Sequence, residues 1–292
     1  MSIAYYPGCS AVGTSLDYET STQAICKVLG LHFQELSGWS CCGSTPAHAT
    51  SEELSAALSS RNLDLAARLG ADKVATPCPS CLSNLRMAHK RLQKPAFRER
   101  INGLMDEPLS EDLPQSYSVL QLLHADFMEA IKNNVQRPLE GIKVAPYYGC
   151  LLSRPADVMA DFGNPENPMI MDDILAALGA EVIDFPLKTE CCGASNGIPE
   201  RPMTAKLSGN ILQVAKNMGA DVVAVACPLC QMNLDLRQKQ AERANATKYD
   251  MPVLYYTQLM GLAFGLLTKD ICLDKLVVSP DALMKKIQEQ GR

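Results

Sequence analysis

Residues 70–85 read "GADKVATPCPSCLSNL", and residues 219–234 read "GADVVAVACPLCQMNL". The two stretches align without a gap from Gly70 and Gly219 onward. Each begins with a short apolar run that is typical of a buried parallel strand, and each continues into a Cys-Pro-x-Cys motif. Such long-range self-similarity indicates that the chain contains two copies of one unit.

Other short stretches repeat in the same order along the two halves. Cys-Cys-Gly occurs in "SGWSCCGSTPAHAT", residues 37–50, and again in "KTECCGASNGIPE", residues 188–200. "YYPGC", which ends at Cys9, corresponds to "PYYGC", which ends at Cys150. The repeat therefore extends through most of each half and is not confined to one motif.

Strand-like and helix-like patterns alternate within each unit. "IAYYPG" from Ile3 is a short β-type run, whereas "YETSTQAICKVLGL" from Tyr18 has apolar residues at helical spacing. Residues 94–116 are polar and contain proline, which predicts a loop, and "RMAHKRLQK" from Arg86 predicts a solvated helix end. The alternation predicts an α/β fold with two pseudo-symmetric repeats, each a small, mostly parallel sheet flanked by helices. The two predicted units span residues 1–135 and 140–292.

The composition is typical of a globular protein large enough for two cores. The chain has 292 residues, of which 47% are hydrophobic, and a net charge of −5, which argues against nucleic acid as the main partner. The start "MSIAYYPGCS" lacks a basic segment followed by an apolar core, so we expect a cytoplasmic protein. The apolar run 251–267 is short for a membrane helix and predicts a strand followed by a buried helix.

Ten of the twelve cysteines form two sets of five in matching order. Clustered thiols in a reducing compartment more often bind metal or carry out redox chemistry than form disulfides. Every cysteine group follows a predicted strand, and the carboxyl ends of parallel strands are where open α/β sheets usually bind ligands. The first set is Cys9, Cys41, Cys42, Cys78 and Cys81, and the second is Cys150, Cys191, Cys192, Cys227 and Cys230.

Four kinds of chemistry compete for five thiols. Disulfides leave one thiol over, and adjacent cysteines are poor disulfide partners. Structural zinc takes four ligands, and an ordinary [4Fe–4S] cube also takes four. A thiol redox pair needs only the Cys-x-x-Cys motif. An iron–sulfur cluster with five thiolate ligands is the interpretation we favour, and a zinc-stabilised scaffold without catalysis is the alternative from another class.

Two cysteines and two glycines have simpler interpretations. Cys26 and Cys272 have no repeat partner, and their apolar helical or strand-like surroundings predict buried packing. Gly43 and Gly193 are expected to let the backbone approach a cluster closely or to form a turn. Helices predicted to begin after the Cys-x-x-Cys motifs would point N–H groups at the negative charge.

These residues carry a family resemblance. Both halves resemble the cysteine-rich CCG domain, and the whole chain resembles the family formed by the B subunits of methanogen heterodisulfide reductases. The resemblance implies one noncubane [4Fe–4S] cluster in each unit, held by the five cysteines of that unit. It also implies reduction of the mixed disulfide of coenzyme M and coenzyme B to the two thiols, as a step of methanogenesis.

The implied reaction needs protons, anion-binding groups and partners. His48 is a candidate proton donor, since it lies near a cysteine group. Coenzyme M carries a sulfonate and coenzyme B a phosphate, so Lys188, Arg154 and Arg201 are candidate substrate-binding residues. Trp39 is expected to shield a cluster, line the pocket or pack in the core. The resemblance implies that the ferredoxin-like C subunit of heterodisulfide reductase delivers electrons. Through it, the electrons would come from the flavin-containing, electron-bifurcating A subunit, which works with hydrogenase or formate dehydrogenase.

A second function stays open within the same domain family. Similar domains occur in glycolate or lactate oxidase complexes, in anaerobic glycerol-phosphate dehydrogenase and in thiol:fumarate reductase. In such a complex, the chain would be an electron-transfer subunit. The two complete cysteine sets favour disulfide reduction.

Overall fold

Two four-stranded parallel sheets of the same topology form the framework of the computed structural model, which describes residues 2–44 and 46–290. The strand order is β2-β1-β3-β4 in the first sheet and β6-β5-β7-β8 in the second. The strands are β1 (Ile3–Tyr5), β2 (Gln34–Glu35), β3 (Lys73–Thr76), β4 (Gln115–Ser118), β5 (Lys143–Tyr147), β6 (Glu181–Val182), β7 (Val222–Val225) and β8 (Val253–Tyr255).

Helices connect successive strands, as parallel pairing requires. The first half contains α1 (Leu16–Leu29), α2 (Pro46–Thr50), α3 (Glu52–Arg68), α4 (Pro79–Leu92), α5 (Pro95–Asn102), α6 (Val119–Asp126) and α7 (Met128–Asn133). The second half contains α8 (Ile170–Ala177), α9 (Arg201–Asn217), α10 (Pro228–Gln231), a π-helix (Met232–Leu236), α11 (Gln238–Asn245), α12 (Tyr256–Ala263) and α13 (Asp281–Gln290). Short 3₁₀ helices cover Ala160–Phe162, Ala194–Gly197, Thr268–Ile271 and Leu273–Lys275.

Strand register confirms the repeat at the level of individual residues. Tyr5 pairs with Ala75 between β1 and β3, and Pro146 pairs with Ala224 between β5 and β7. Ala75 and Ala224 occupy the same position in the two sequence repeats. The predicted α/β fold with two pseudo-symmetric parallel sheets is therefore confirmed. The predicted division into units 1–135 and 140–292, which falls between α7 and β5, stays a proposal.

The two halves share one hydrophobic core. Helix α1 of the first half packs against α12 of the second, and α6 packs against α8. At the first contact the rings of Tyr18 and Tyr255 stack with centroids 4.1 Å apart, an arrangement worth about 0.5–1.5 kcal/mol beyond burial. Beside them the Ser21 and Thr257 hydroxyls lie 2.7 Å apart in a buried hydrogen bond. These contacts fix the orientation of one sheet relative to the other.

Arg86 forms a second connection between the halves. Its guanidinium donates to both carboxylate oxygens of Asp161 at 2.6 and 2.7 Å, and to the backbone oxygens of Ser116 and Val158 at 2.9 and 3.2 Å. The side chain is only 10% exposed. The prediction that the helix end from Arg86 is solvated is therefore wrong at its first residue, because Arg86 bridges the two halves.

The predicted loop over residues 94–116 is also wrong in part, since it contains α5. Pro95 occupies the first turn of that helix, where proline is favoured because no backbone N–H is needed. Phe97 and Ile101 bury the apolar face. Likewise, the helices expected after the Cys-x-x-Cys motifs begin earlier, with Pro79 and Pro228 inside their first turns.

The apolar run 251–267 forms a strand followed by a buried helix, as predicted. It contains β8 and then α12, in which every residue is buried. Among the residues that the structure describes, no helix combines the length and the apolar character needed to cross a membrane.

We predict that Arg86→Ala lowers the free energy of unfolding by about 3 kcal/mol, because it leaves buried acceptors without a donor. The matched control is Lys132→Ala, which removes an exposed ion pair with Glu129 and should cost about 0.5 kcal/mol or less. Urea unfolding followed by circular dichroism measures both losses. Equal losses in the two variants would show that Arg86 does not join the halves.

Candidate functional site

The five cysteines of the first set converge at the carboxyl edge of the first sheet. Cys9 follows β1, the Cys41–Cys42 pair follows β2, and Cys78 and Cys81 follow β3. The side chains of Cys42, Cys78 and Cys81 are 2–5% exposed, whereas Cys9 and Cys41 are exposed. Three thiols thus form a buried floor and two form a rim open to solvent.

The second set has the same arrangement at the edge of the second sheet. Cys192, Cys227 and Cys230 are buried, Cys191 is exposed and Cys150 is half-buried. The Sγ atoms of Cys192 and Cys230 lie 3.7 Å apart, in hydrogen-bond contact. The parallel register explains the match, because corresponding strands end at the same height in both sheets.

In the second set, hydrogen bonds between thiols lower the pKa values of some cysteines and raise those of others. Contact with the Cys150 thiol lowers the pKa of Cys191 to about 6. Contact with the Cys230 thiol, helped by the Asn233 amide, lowers the pKa of Cys192 to about 7, and the same contact raises the pKa of Cys230. These contacts favour the thiolate forms of Cys191 and Cys192, and the thiolate is the form of cysteine that binds metal.

The first set follows the same pattern. Contact with the Cys81 thiol lowers the pKa values of Cys42 and Cys78, and backbone N–H groups lower them further. Those contacts raise the pKa of Cys81, and burial raises the pKa of Cys9. The N–H groups that reach Cys78 belong to the first turn of α4, so the helix start stabilises negative charge at this thiol.

Gly8 and Gly149 leave room for sulfur at the two edges. Gly8 has φ +75°, and a Cβ atom there would lie 2.8 Å from the Cys81 Sγ. Gly149 has φ +69°, and a Cβ atom there would lie 2.8 Å from the Cys230 Sγ. Only glycine allows the sulfur to sit this close to the backbone without displacement.

The glycines of the two Cys-Cys-Gly motifs make a close contact that the sequence analysis did not expect. A Cβ atom on Gly43 would lie 3.2 Å from the Ser55 Cα in α3, and one on Gly193 would lie 2.9 Å from the Thr204 Cα in α9. They therefore allow a helix to approach the motif. Their N–H groups still contact sulfur, at 3.4 Å from Cys41 and 3.3 Å from Cys191.

Two tyrosines that the sequence analysis missed hold the Cys-Cys-Gly segments. The Tyr6 hydroxyl donates to the backbone oxygen of Ser40 at 2.8 Å, and the Tyr147 hydroxyl donates to that of Glu190 at 2.6 Å. Each acceptor directly precedes a cysteine pair. Both tyrosines stand three residues before the first cysteine of their set, so the aligned "YYPGC" and "PYYGC" stretches carried the signal.

The carbonyl oxygen of the second cysteine in each pair is held in the same way in both halves. The oxygen of Cys42 accepts from the Ser59 hydroxyl at 2.9 Å and from the Asn84 amide at 3.0 Å. The corresponding donors to Cys192 are the Ser208 hydroxyl and the Asn233 amide, at 3.0 and 3.4 Å. The residues contacting the thiols therefore repeat along with the thiols.

The thiols and the N–H groups around them fit a metal centre that is bound by many sulfur ligands. Five thiols meet at one edge, backbone N–H groups face the sulfurs, and a glycine provides space beside a buried thiol. Within residues 2–44 and 46–290, no group of three or more His, Cys, Asp or Glu side chains surrounds a position suited to a single metal ion. The residues that could hold a multinuclear centre are the two predicted sets of five.

His48 and Arg201 lie near the motifs and face solvent. His48 belongs to α2, its side chain is exposed, and its backbone N–H donates to the oxygen of Gly43 at 3.0 Å. Arg201 begins α9 and is also exposed. The predicted proton-donor role of His48 and the predicted substrate-binding role of Arg201 stay predictions.

Lys188 and Arg154 instead have protein partners. The Lys188 ammonium is 3% exposed and donates to the Asp172 carboxylate at 2.6 Å and to the Asn167 amide oxygen at 2.9 Å. Arg154 donates to the backbone oxygen of Thr189 at 2.9 Å and to Glu166 at 2.8 Å. Both cations hold the segment before Cys191 in place, and their substrate-binding roles stay predictions.

The other singled-out side chains have packing roles. Trp39 packs edge-on against Tyr6, with ring centroids 5.6 Å apart. Cys26 is buried in α1, as predicted, and burial raises its pKa to about 12. The expectation for Cys272 is wrong, because this residue is half-exposed between two 3₁₀ helices with φ +52°.

Tyr255 lies at the contact between the two halves. Its ring is fully buried at the end of β8, and it stacks on Tyr18, whose hydroxyl donates to the oxygen of Ala226, beside Cys227, at 3.4 Å. Burial raises the pKa of Tyr255, and the negative charges of Asp17, Cys227 and Cys78 raise it further. Cys227 belongs to the second set and Cys78 to the first, so charges of both sets act on this tyrosine.

A family model and several known proteins match this chain. The CCG cysteine-rich domain matches residues 3–86 and 144–235. The chain is 33% identical to the 8-methylmenaquinol:fumarate reductase membrane anchor subunit of Wolinella succinogenes, over 96% of this chain and 98% of that protein. It is 28% identical to the B subunit of the ferredoxin/F420H2-dependent CoB-CoM heterodisulfide reductase of Methanosarcina acetivorans, over 98% of this chain and 97% of the relative.

A solved structure shares the fold. The crystal structure of a hypothetical protein from Helicobacter pylori superposes with a TM-score of 0.72 at 13% identity. The match covers 95% of this chain and 52% of that protein, so the chain spans about half of its length.

We predict that Gly8→Ala lowers the iron bound per chain after anaerobic reconstitution. The added methyl group would displace the Cys81 sulfur as well as strain a positive φ, which alone costs about 1–2 kcal/mol. The control is Gly30→Ala, since Gly30 has φ +67° and open space around it. Iron analysis and thermal unfolding separate the two effects, and equal iron content in both variants would contradict the prediction.

We predict that Lys188→Met makes stability fall as the pH rises from about 4 to neutrality. Burial already raises the pKa of Asp172, and the Lys188 ammonium opposes this shift. Without the ammonium, the pKa of Asp172 rises further above its unfolded value, so ionisation destabilises the fold. The control is Lys206→Met on the exposed surface of α9. Parallel pH profiles of unfolding in the two variants would disprove a structural role for Lys188.

Proposed function

We propose, on the premise that this chain belongs to the CCG cysteine-rich domain family, that it reduces a small-molecule disulfide with two iron–sulfur centres. At the family level it is an oxidoreductase similar to the B subunits of heterodisulfide reductases. The observation that supports the proposal is the pair of complete five-thiol edges in one chain, one at the carboxyl edge of each sheet. A disulfide needs two electrons, and the repeat provides two sites.

The ten cysteines are the proposed ligands, five for each centre. When bound, an iron–sulfur cluster supplies electrons one at a time, and its potential depends on charge, hydrogen bonds to sulfur and exposure. The chain contributes N–H groups from Gly43 and Gly193, at 3.4 and 3.3 Å from thiol sulfur. The resemblance leads us to propose one noncubane [4Fe–4S] cluster in each half.

The exposed rim thiols give substrate a way to each edge. Cys9, Cys41 and Cys191 are exposed, whereas the floor thiols are buried among apolar side chains. A disulfide between the edges would meet one rim from each half. This position suits the mixed disulfide of coenzyme M and coenzyme B, the substrate named for the heterodisulfide reductase relatives.

The proposed surroundings of the substrate include the two exposed candidates. Arg201 stands free of the buried ion pairs and can reach an anionic group of the substrate, and His48 can supply a proton from solvent. Lys188 and Arg154 support the segment before Cys191 through the bonds described above. Of the three predicted cations, we therefore propose that Arg201, and not Lys188 or Arg154, contacts the substrate.

The proposed electron donors are other components of a heterodisulfide reductase complex. The relatives are named as the B and D subunits of such complexes. We propose delivery by the ferredoxin-like C subunit and, through it, by the flavin-containing A subunit with hydrogenase or formate dehydrogenase.

The fumarate reductase relative favours a second candidate function. At 33% identity over nearly the whole of both chains, the Wolinella succinogenes protein bears the name of a membrane anchor subunit. In that role the two centres would pass electrons from a quinol to a catalytic partner and would reduce no disulfide. The cysteine sets serve either role, so activity must separate the two.

We predict that Cys42→Ser and Cys192→Ser each abolish disulfide reduction by the reconstituted chain with a reduced viologen dye. Each variant removes one proposed ligand from one half, so the loss should exceed the roughly 10–100-fold cost of losing an outer contact. The matched control is Cys26→Ala, which changes a buried thiol outside both sets. Turnover is measured with the coenzyme M–coenzyme B disulfide and with simpler disulfides.

The outcomes separate the two functions. Full activity in either serine variant would refute a reaction that needs both edges. If wild-type protein reduces no disulfide but becomes reduced by a menaquinol analogue, the electron-transfer role replaces the proposal.

A further inference from the structure

A cavity with an apolar rim lies where the two halves meet. It has a volume of about 310 Å³, and residues of both halves line it, among them Leu16 at the start of α1 and Leu236 at the end of the π-helix. Leu16, Leu236 and Val277, all on its wall, are 58%, 54% and 52% exposed. Large apolar side chains that are exposed around one cavity are typical of a surface that another molecule covers.

Two carboxyl groups line the same cavity. Asp17 comes from the first half and is 9% exposed, and Asp235 comes from the second half and is 1% exposed. The backbone N–H groups of Val277 and Val278 donate to Asp235 at 2.9 and 3.0 Å. Among the residues that the structure describes, no Lys, Arg or His forms an ion pair with either carboxyl. The cavity is therefore acidic inside and apolar at its rim.

The repeat-related contact at the junction contains a cation. Arg86 occupies the repeat position of Asp235, and its guanidinium donates to both oxygens of Asp161, which lies in the segment after the first cysteine of the second set. Asp17 lies in the segment after the first cysteine of the first set. One of the two related contacts is thus a guanidinium with a carboxylate, and the other is a pair of carboxyls. The second contact lacks the guanidinium that the chain provides in the first.

The chain's own cation on the cavity wall has another partner. The side chain of Lys275 is 66% exposed, and its ammonium lies 3.4 Å from the carboxylate of Asp274. Nearly buried carboxyls favour a cation, because like charges in such a place cost free energy unless they are neutralised.

An arginine side chain fits both parts of the cavity. Its planar fork of donors matches carboxylates, and its aliphatic stem covers apolar surface. A metal ion would leave the apolar rim uncovered. Within the described part of the chain, no group of three or more His, Cys, Asp or Glu side chains could hold one. The chemistry of the cavity therefore favours a protein side chain over a free ion.

We propose that this cavity receives an arginine side chain from a partner protein. The guanidinium would contact the carboxylates of Asp17 and Asp235, and neighbouring partner residues would cover the three exposed apolar side chains of the rim. Arginine is enriched among the residues that dominate binding at protein interfaces, and contacts around it exclude water. Gln231 on the cavity wall directly follows Cys230, so the partner would dock beside the second cysteine set. The inference goes beyond the proposed function and holds for either candidate role, because both need a protein partner.

The test measures binding of a tripeptide with blocked ends, an arginine between two leucines, to the reconstituted chain by titration calorimetry. We expect a dissociation constant below about 1 mM. The same peptide with citrulline, which has a neutral group of similar shape, should bind at least about tenfold more weakly.

Variants of the cavity and of the exposed surface show where the peptide binds. Asp17→Asn and Asp235→Asn should each weaken binding of the arginine peptide at least about tenfold, and Leu236→Ser at least about threefold. The matched controls are Asp126→Asn and Leu104→Ser, which change exposed side chains away from the cavity and should keep wild-type affinity. Leu236→Ser alters only the exposed rim, so it decides the question if a carboxyl variant fails to fold.

Three results would overturn the proposal. They are no binding of the arginine peptide, equal binding of the citrulline peptide, and equal affinities in the cavity variants and their controls. Magnesium binding that Asp235→Asn abolishes, without binding of the peptide, would assign the cavity to a metal ion instead. A wild-type dimer in sedimentation that Leu236→Ser dissociates would show that a second copy of the chain covers this face, and would likewise overturn the proposal.

Discussion

The register of the parallel strands is the constraint on which the site depends. Because β1 and β3, like β5 and β7, end at the same height, the cysteines that follow them meet at one edge of each sheet. The α1–α12 contact then fixes the two edges relative to each other through the stacked rings of Tyr18 and Tyr255. A shift of one residue in either sheet would turn the following cysteine to the other face.

Around this framework the protein repeats the contacts to its thiols but not the contacts between its halves. The donors to the Cys42 and Cys192 carbonyl oxygens are the same residue types at the same repeat positions. At the junction, by contrast, Arg86 in one half corresponds to Asp235 in the other. The junction therefore has the Arg86–Asp161 ion pair on one side and a carboxyl at the equivalent position on the other, so the repeat is not exact there.

Much of the fold and the ten candidate ligands could be predicted from sequence, because repeated motifs and periodicity are local signals. Helix α5 was missed because proline was interpreted as a loop signal although it stood in a first helical turn. The partners of Lys188 and Arg86 were missed because they depend on residues that approach only in the folded chain. Lys188 meets Asp172 there, and Arg86 meets Asp161.

The central claim, that the two five-thiol edges face each other across the junction of the halves, is tested most directly by electron paramagnetic resonance. The reconstituted chain is poised so that the centres of both halves are paramagnetic, and Cys42→Ser and Cys192→Ser supply single-centre references. We predict a dipolar interaction in the wild-type spectrum that is absent from both references. A wild-type spectrum equal to the sum of the two references, with no interaction, would contradict the claim.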